Sequence, residues 1–380
     1  MSDLSNLRRI RQDLHRYPEL SGHEHETADW VRRLLEPLNP DAIVSGVGGA
    51  GLLAVFNGRQ TGPTTLIRCE LDALPITETG ERRYRSTREG CAHACGHDGH
   101  MTIVIGVAEI LQAQRPHTGR VILLFQPAEE DGHGARRVFN DDAFAPFKPD
   151  YAFALHNVPG LPLGEVFTRP GPFNCASRGL IIRLTGKTSH AAHPEDGVSP
   201  APALAQLMAA LPGLPATFDA TVWVTLVHAR MGEKAFGTAP GEAVLMATLR
   251  SETNEAMTAL SDKACALARE AADNAGLAVA FEWEDDFLAS VNSESGFEAV
   301  ANACREIGLP CHRMPDAFRW SEDFGVFTLH AEGAMLGLGA GNIHPQLHNP
   351  DYDFPDELIP AGREIFVTII RQINGLPLAN

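Results

Sequence analysis

The chain has 380 residues, 44% of them hydrophobic and 21% charged, a balance that fills full-sized apolar cores and argues against intrinsic disorder. Acidic residues outnumber Lys and Arg by 48 to 31, for a formal charge of −17. With no basic run interleaved with aromatics, this composition excludes nucleic acid as a partner. The start, MSDLSNLRRIRQDLHRYPE, is charged where a signal peptide would be apolar, and no segment approaches the ~18 apolar residues of a membrane span. A cytoplasmic protein with no membrane partner is expected, and seven scattered cysteines fit a reducing compartment better than a disulfide framework.

In chain order, Leu4, Leu7, Ile10 and Leu14 recur at helical spacing, and a second helix is expected from about His23 to Leu38. Gly46, Gly48 and Gly51 fit the dinucleotide fingerprint G-x-G-x-x-G, but the strand-like LLAVF follows them. That fingerprint needs a helix there, so the glycines predict a hairpin. Apolar runs around Ile43, Leu52 to Phe56, Thr65 to Leu71, Val121 to Phe125 and Tyr151 to Leu155 read as strands, several buried on both faces. A helix is expected from about His100, with Ile103, Val107, Ile110 and Leu111 on one face. Strands alternating with helices predict an α/β sheet.

Between about Arg178 and Asp286 the order becomes β-α-β-β-α-β, the pattern of a ferredoxin-like split βαβ unit. The remainder, from about Val291, returns to helix, strand and helix and is expected to complete the first domain. The division is therefore 1–177 with 291–380, interrupted by 178–290.

Two clusters carry chemistry. In GCAHACGHDGH, Cys91, His93, Cys95, His97, Asp98 and His100 crowd together ahead of the expected helix. The spacing fits a closed structural zinc site poorly, yet three histidines beside a thiol and a carboxylate favour metal binding. In FQPAEEDGHG, Glu129 and Glu130 follow an apolar strand, at the usual ligand-binding rim of an open α/β sheet. Any such pair could be a solvated acidic turn. One carboxylate could also hold a metal while its neighbour acts as general base on water. His156 in YAFALHNVPG and His348 in IHPQLHNPDYDFPDE occupy similar rim positions.

Through these and neighbouring segments the chain resembles the M20 metallopeptidase family, in particular its amidohydrolase branch of aminoacylases, hippurate hydrolases and auxin-conjugate hydrolases. The resemblance rests on LHRYPELSGHEHET, RCELDALPITE, CAHACGHDGHM, LLFQPAEEDGHGA, ALHNVPGLPLGEV, LTGKTSHAAHPEDGVSP, GTAPGEAVLMATLR, RWSEDFGVF and HPQLHNPDYDFPDE, in order. It implies an α/β catalytic domain built from both chain ends, with an inserted ferredoxin-like α+β lid that dimerises, giving a homodimer or a dimer of dimers. It implies two divalent metal ions held by Cys95, His97, Glu130, His156 and His348, with Glu129 as general base and Asp72 orienting a ligand from behind. Five ligands for two ions require a bridge, and the Cys95 thiolate is the candidate. Zinc suits thiolate beside imidazole, while manganese, cobalt and nickel also accept such mixed donors.

By the same resemblance His190, in GKTSHAA, stabilises the oxyanion and Arg250, ending MATLR, grips a substrate carboxylate. The implied reaction is hydrolysis of the amide of a small N-acyl amino acid or related conjugate by metal-activated water. A dipeptidase or carboxypeptidase on the same site is the alternative enzyme, and a non-catalytic metal-dependent binding protein the alternative class. Three positions depart from the branch: TAPGEA lacks an asparagine in a longer loop, Glu70 stands for a common Asp, and Ala92 stands for a common Met.

Overall fold

The computed structural model describes residues 4–377. The chain divides into two compact units, one of Met1–Phe173, Ser290–Asp316 and Glu322–Asn380, the other of Asn174–Ala289 with Ala317–Ser321.

The first unit is built on an eight-stranded sheet in the order Ala42–Val47, Gly51–Asn57, Thr118–Gln126, Gln60–Glu70, Tyr151–Val158, Glu332–Gly339, Val166–Thr168, Cys311–Arg313. Its middle four strands are parallel, and their continuously apolar sequences are buried on both faces, as parallel strands require. The first two strands form the glycine hairpin, with Gly46 and Gly48 at positive φ.

Helix Leu4–Arg16 buries Leu7, Ile10 and Leu14 as its spacing predicts, while Leu4, at its first turn, is left exposed. The helix expected from about His100 starts at His97 and runs to Ala113. It is buried on nearly all sides through Ala108, because the sheet, the first helix and the closing helix Leu358–Asn374 all pack on it. Its apolar face is therefore wider than the four residues named from periodicity. Gly96 starts it with φ of 91°, and a Cβ there would lie 2.5 Å from Asn157 Oδ1, so only glycine fits this entry.

The second unit contains a four-stranded antiparallel sheet in the order Val222–Met231, Glu242–Ser251, Ala176–Thr185, Ala278–Phe287. Helices Ala201–Ala210 and Asn254–Asn274 contribute Leu204, Leu207, Leu260 and Ala264 to a core shared with Leu180, Ile182, Leu245 and Leu249 from the sheet. Numbered in chain order the strands lie 2-3-1-4, with a helix after the first and third.

The unit boundaries differ from the expected 178–290. The second unit begins at Asn174 and also takes Ala317–Ser321, which periodicity gave no reason to separate from its neighbours. The cause is local pairing: Cys175 N donates to Phe318 O at 2.9 Å, Phe318 stacks on Trp320, and Arg319 lies over the Trp223 ring.

Candidate metal centre

The parallel strands of the first unit end on one rim, and four of the expected site segments leave from it. Strand Gln60–Glu70 delivers Asp72, strand Thr118–Gln126 delivers Glu129 and Glu130, strand Tyr151–Val158 carries His156 near its end, and the loop after Glu332–Gly339 carries His348. Cys95 and His97 arrive from the turn into helix His97–Ala113.

These side chains converge. Cys95, His97 and His156 offer ligand atoms within 4.8 Å of one another, as do Cys95, Glu130 and His348, and His97, Glu129 and Glu130. Cys95 Sγ lies 3.4 Å from His156 Nε2. His97 Nε2 stands 3.9 Å from both Glu129 Oε2 and Glu130 Oε1, and His348 Nε2 stands 3.7 Å from Glu130 Oε1. His348 adopts a left-handed φ of 65°, a conformation uncommon outside glycine, and its backbone N–H is fixed by Ala94 O at 2.9 Å.

The histidine tautomers suit metal binding. His97 Nδ1 donates to the backbone carbonyl of Asp72 at 2.8 Å, and His156 Nδ1 to the carbonyl of Asn157 at 2.9 Å, so in each ring it is Nε2 that faces the cluster. Asp72 thus orients His97 chiefly through its carbonyl, the carboxylate lying farther off at 3.5 Å. That carboxylate instead accepts Glu130 N–H at 2.9 Å. His97 Nε2 and Glu130 Oε1 are buried without a hydrogen-bond partner. Buried polar atoms are seldom left so, and this donor set of thiol, imidazole and carboxylate fits divalent transition ions.

The electrostatics agree. Burial and the charges of Glu130, Glu322, Asp323 and Asp72 push the Glu129 carboxyl far up, and burial pushes Glu130 up to about 7. Burial, then Glu130 and Glu129, raise the Cys95 thiol. Burial alone would lower His97, but the Asp72 bond and the charges of Glu70, Asp72 and Glu130 carry it to about 10. Burial first, and the mutual crowding of the acids second, disfavour the charged carboxylates and thiolate here, and a cation would offset both.

Of the remaining cluster members, His93 and Asp98 go elsewhere, while His100 groups with Glu70 and His97. His93 is buried outside these groups and held down to about 3 by burial. His100 lies between Glu70 Oε2, at 2.6 Å, and Asn157 Oδ1. Asp98 binds His15 Nδ1 at 2.8 Å and Arg11 at 3.4 Å.

Sequence reading also passed over Arg68, fully buried and bound by Glu70, by Glu322 at 2.7 Å and by Asp323 at 2.6 Å. Glu322 and Asp323 group with Glu129, so this charged knot backs the acidic rim. A lone arginine inside the apolar run TTLIRCEL was the available signal, since a buried charge must be paired.

In the second unit, His190 lies beyond the strand that ends at Thr185, in a short strand, Ser189–His190, paired with Thr238–Ala239 of the TAPGEA segment. Ala192 N donates to His190 Nδ1 at 3.0 Å, which leaves the ring proton on Nε2. Arg250 Nη1 donates to Arg319 O at 2.8 Å and Ser321 Oγ at 2.9 Å.

The sequence pattern of peptidase family M20/M25/M40 matches residues 66–372. The chain belongs to the M20 peptidase family. This M20 chain is similar to an N-acetylcysteine deacetylase of Bacillus subtilis, 29% identical over 372 residues and 96% of both chains. It is also similar to an N-acetyldiaminopimelate deacetylase of Enterococcus faecalis, 30% identical over 382 residues, 96% of this chain and 97% of that one. The crystal structure of a dinuclear metal-binding M20 peptidase from Bacillus subtilis superposes on this M20 chain with a TM-score of 0.84, at 27% identity over 98% of each chain.

Proposed function

We propose that the protein is a metal-dependent amidohydrolase that releases an amino acid from a small N-acyl amino acid or related conjugate. The observation that carries this reading is Glu129 Oε2 facing His97 Nε2 beside Glu130, a base next to ligand-capable groups. The deacetylase names of the two curated relatives support the substrate class. Cys95, His97, Glu130, His156 and His348 would hold two divalent ions, with zinc, manganese, cobalt and nickel as the candidates; this family's dinuclear neighbour supports the count.

The ions, when bound, supply Lewis acidity toward a water molecule and the acyl carbonyl. Glu129 takes the proton of the attacking water and returns it to the leaving amine. Its burial among other carboxylates raises its basicity, which suits it to hold that proton. His190, with its proton on Nε2, donates to the oxygen that becomes negative at the acyl carbon. Arg250 receives the carboxylate of the amino-acid half. The division into a catalytic domain and an inserted ferredoxin-like lid is part of the same proposal, the lid taking Asn174–Ala289 with Ala317–Ser321 in place of the expected 178–290, supported by the antiparallel 2-3-1-4 strand order. So is assembly through that lid as a homodimer or a dimer of dimers. The cysteines are unpaired in the described residues, which supports a reducing, cytoplasmic setting.

The test is hydrolysis of N-acetyl amino acids, N-benzoyl amino acids and free dipeptides by metal-stripped protein resupplied with Zn, Mn, Co or Ni. Metal-dependent turnover of the N-acyl compounds is expected. Preferential cleavage of dipeptides would reassign the site to a peptidase, and no turnover with any metal would leave only a binding protein.

A further inference from the structure

The segment LHRYPELSGHEHET sends two side chains, Ser21 and Glu24, to the centre of the site. Ser21 and Glu24 precede helix His25–Leu35, with Glu24 at its N-cap position, and neither side chain caps it. Ser21 Oγ donates to Asp72 Oδ2 at 2.7 Å, and Glu24 Oε1 accepts Ala128 N–H at 2.7 Å and Gly22 N–H at 2.9 Å. The free helix end is served instead by Glu19, whose Oε2 accepts Thr27 N–H at 2.7 Å.

Both diverted bonds end next to the metal-facing groups. Asp72 Oδ2, held by Ser21, also accepts Glu130 N–H, while the Asp72 carbonyl fixes His97 Nδ1. Ala128, held by Glu24, immediately precedes Glu129 and has a left-handed φ of 53°, a strained state for a residue with a Cβ that persists only where its surroundings hold it. Glu24 is wholly buried. The loop itself is docked on the same strand end, because Ala73 N donates to Glu19 O at 2.7 Å and Leu20 bridges Ala73.

We propose that Ser21 and Glu24 are positioning residues that form one clamp, Ser21 fixing His97 and Glu130 through Asp72 and Glu24 fixing the Ala128–Glu129 turn. The inference rests on His97 and Glu130 being metal ligands, as proposed above. In this arrangement the two ligands and the base are set by a single loop before any ion arrives, so the clamp acts on metal affinity as well as on turnover.

Cobalt(II) alone is the probe, titrated into the metal-stripped full chain and read by visible absorption, including the band from thiolate coordination. Ser21→Ala and Glu24→Ala should each weaken cobalt affinity about tenfold or more, with the melting temperature of the metal-free protein unchanged for Ser21→Ala. Ser21→Thr and Glu24→Gln, which keep the donor and the acceptor, should return affinity toward the wild-type value. His97→Ala is the control. Wild-type cobalt affinity in Ser21→Ala, with loss in His97→Ala, would overturn the clamp alone, as would losses that the conservative variants fail to restore. Wild-type affinity in His97→Ala would overturn the metal-centre reading and the clamp with it. Should Glu24→Ala not fold, the Ser21 pair decides.

Discussion

His97 Nε2 and Glu130 Oε1 face each other across 3.9 Å, each buried and neither with a hydrogen-bond partner. The separation is too long for a direct bond and leaves room for an ion that both could ligate. Ion binding must displace protons here, because burial holds Glu130 near 7 and keeps the Cys95 thiol protonated at neutral pH. Metal affinity should therefore rise with pH through the range around 7, with protons released on binding. Calorimetric titration in two buffers of different ionisation enthalpy measures that release. Alkylation of Cys95 should be blocked by prior metal loading, and Cys95→Ser should lose metal.

Glu129 and Glu130 are neighbours with different surroundings, one grouped with His97, Glu322 and Asp323, the other with Cys95, His97 and His348. Glu129→Gln should keep metal content and lower kcat by on the order of 10²-fold or more. Glu130→Gln should lose metal first. Metal analysis of both purified variants separates the roles, and equal loss in the two would refute the division.

Arg250 is held by Arg319 O and Ser321 Oγ through one nitrogen, an anchor that would present the rest of the guanidinium to a carboxylate. Arg250→Ala should lower kcat/KM for an N-acyl amino acid much more than for its carboxamide. An equal drop for both compounds would remove the residue from carboxylate recognition.

Arg68 is the counter-charge of a buried acidic knot, bound by Glu70, Glu322 and Asp323. Arg68→Met should destabilise the protein by about 3–5 kcal/mol, since it strands several buried carboxylates. Urea unfolding of the metal-free protein measures this. Arg68→Lys should recover only part of the loss, because an ammonium cannot reproduce the fork that meets three carboxylates.

His15 is buried between Asp98 and Glu78, whose bonds outweigh burial and raise it from 6.5 to about 9. A raised folded-state value stabilises the protein fully below the unfolded value near 6.5, and the contribution fades as pH climbs through 9. The stability difference between wild type and His15→Gln should thus be largest near pH 6 and below, on the order of 3 kcal/mol, and shrink by pH 9.5. A difference that stayed constant with pH would mean that His15 is neutral in the folded protein.

What the sequence determined by itself was whatever is encoded over short stretches. The continuous apolar runs of Leu52–Phe56 and Val121–Phe125 announced buried strands, the β-α-β-β-α-β order separated the second unit, and Cys95, His97, Glu129 and Glu130 stood out because thiol, imidazole and carboxylate crowd within a few residues. Tertiary structure alone decided the pairings that span the chain. Arg68 meets Glu322 across 254 residues, Phe318 joins Asn174 in the second unit, and Ser21 and Glu24 turn from their own helix to Asp72 and Ala128. Periodicity reports which face of an element is buried, but a single polar side chain gives no local sign of its distant partner. That partner is fixed only when the sheet rim brings the strand ends together and each buried charge or hydrogen-bonding group must find a match.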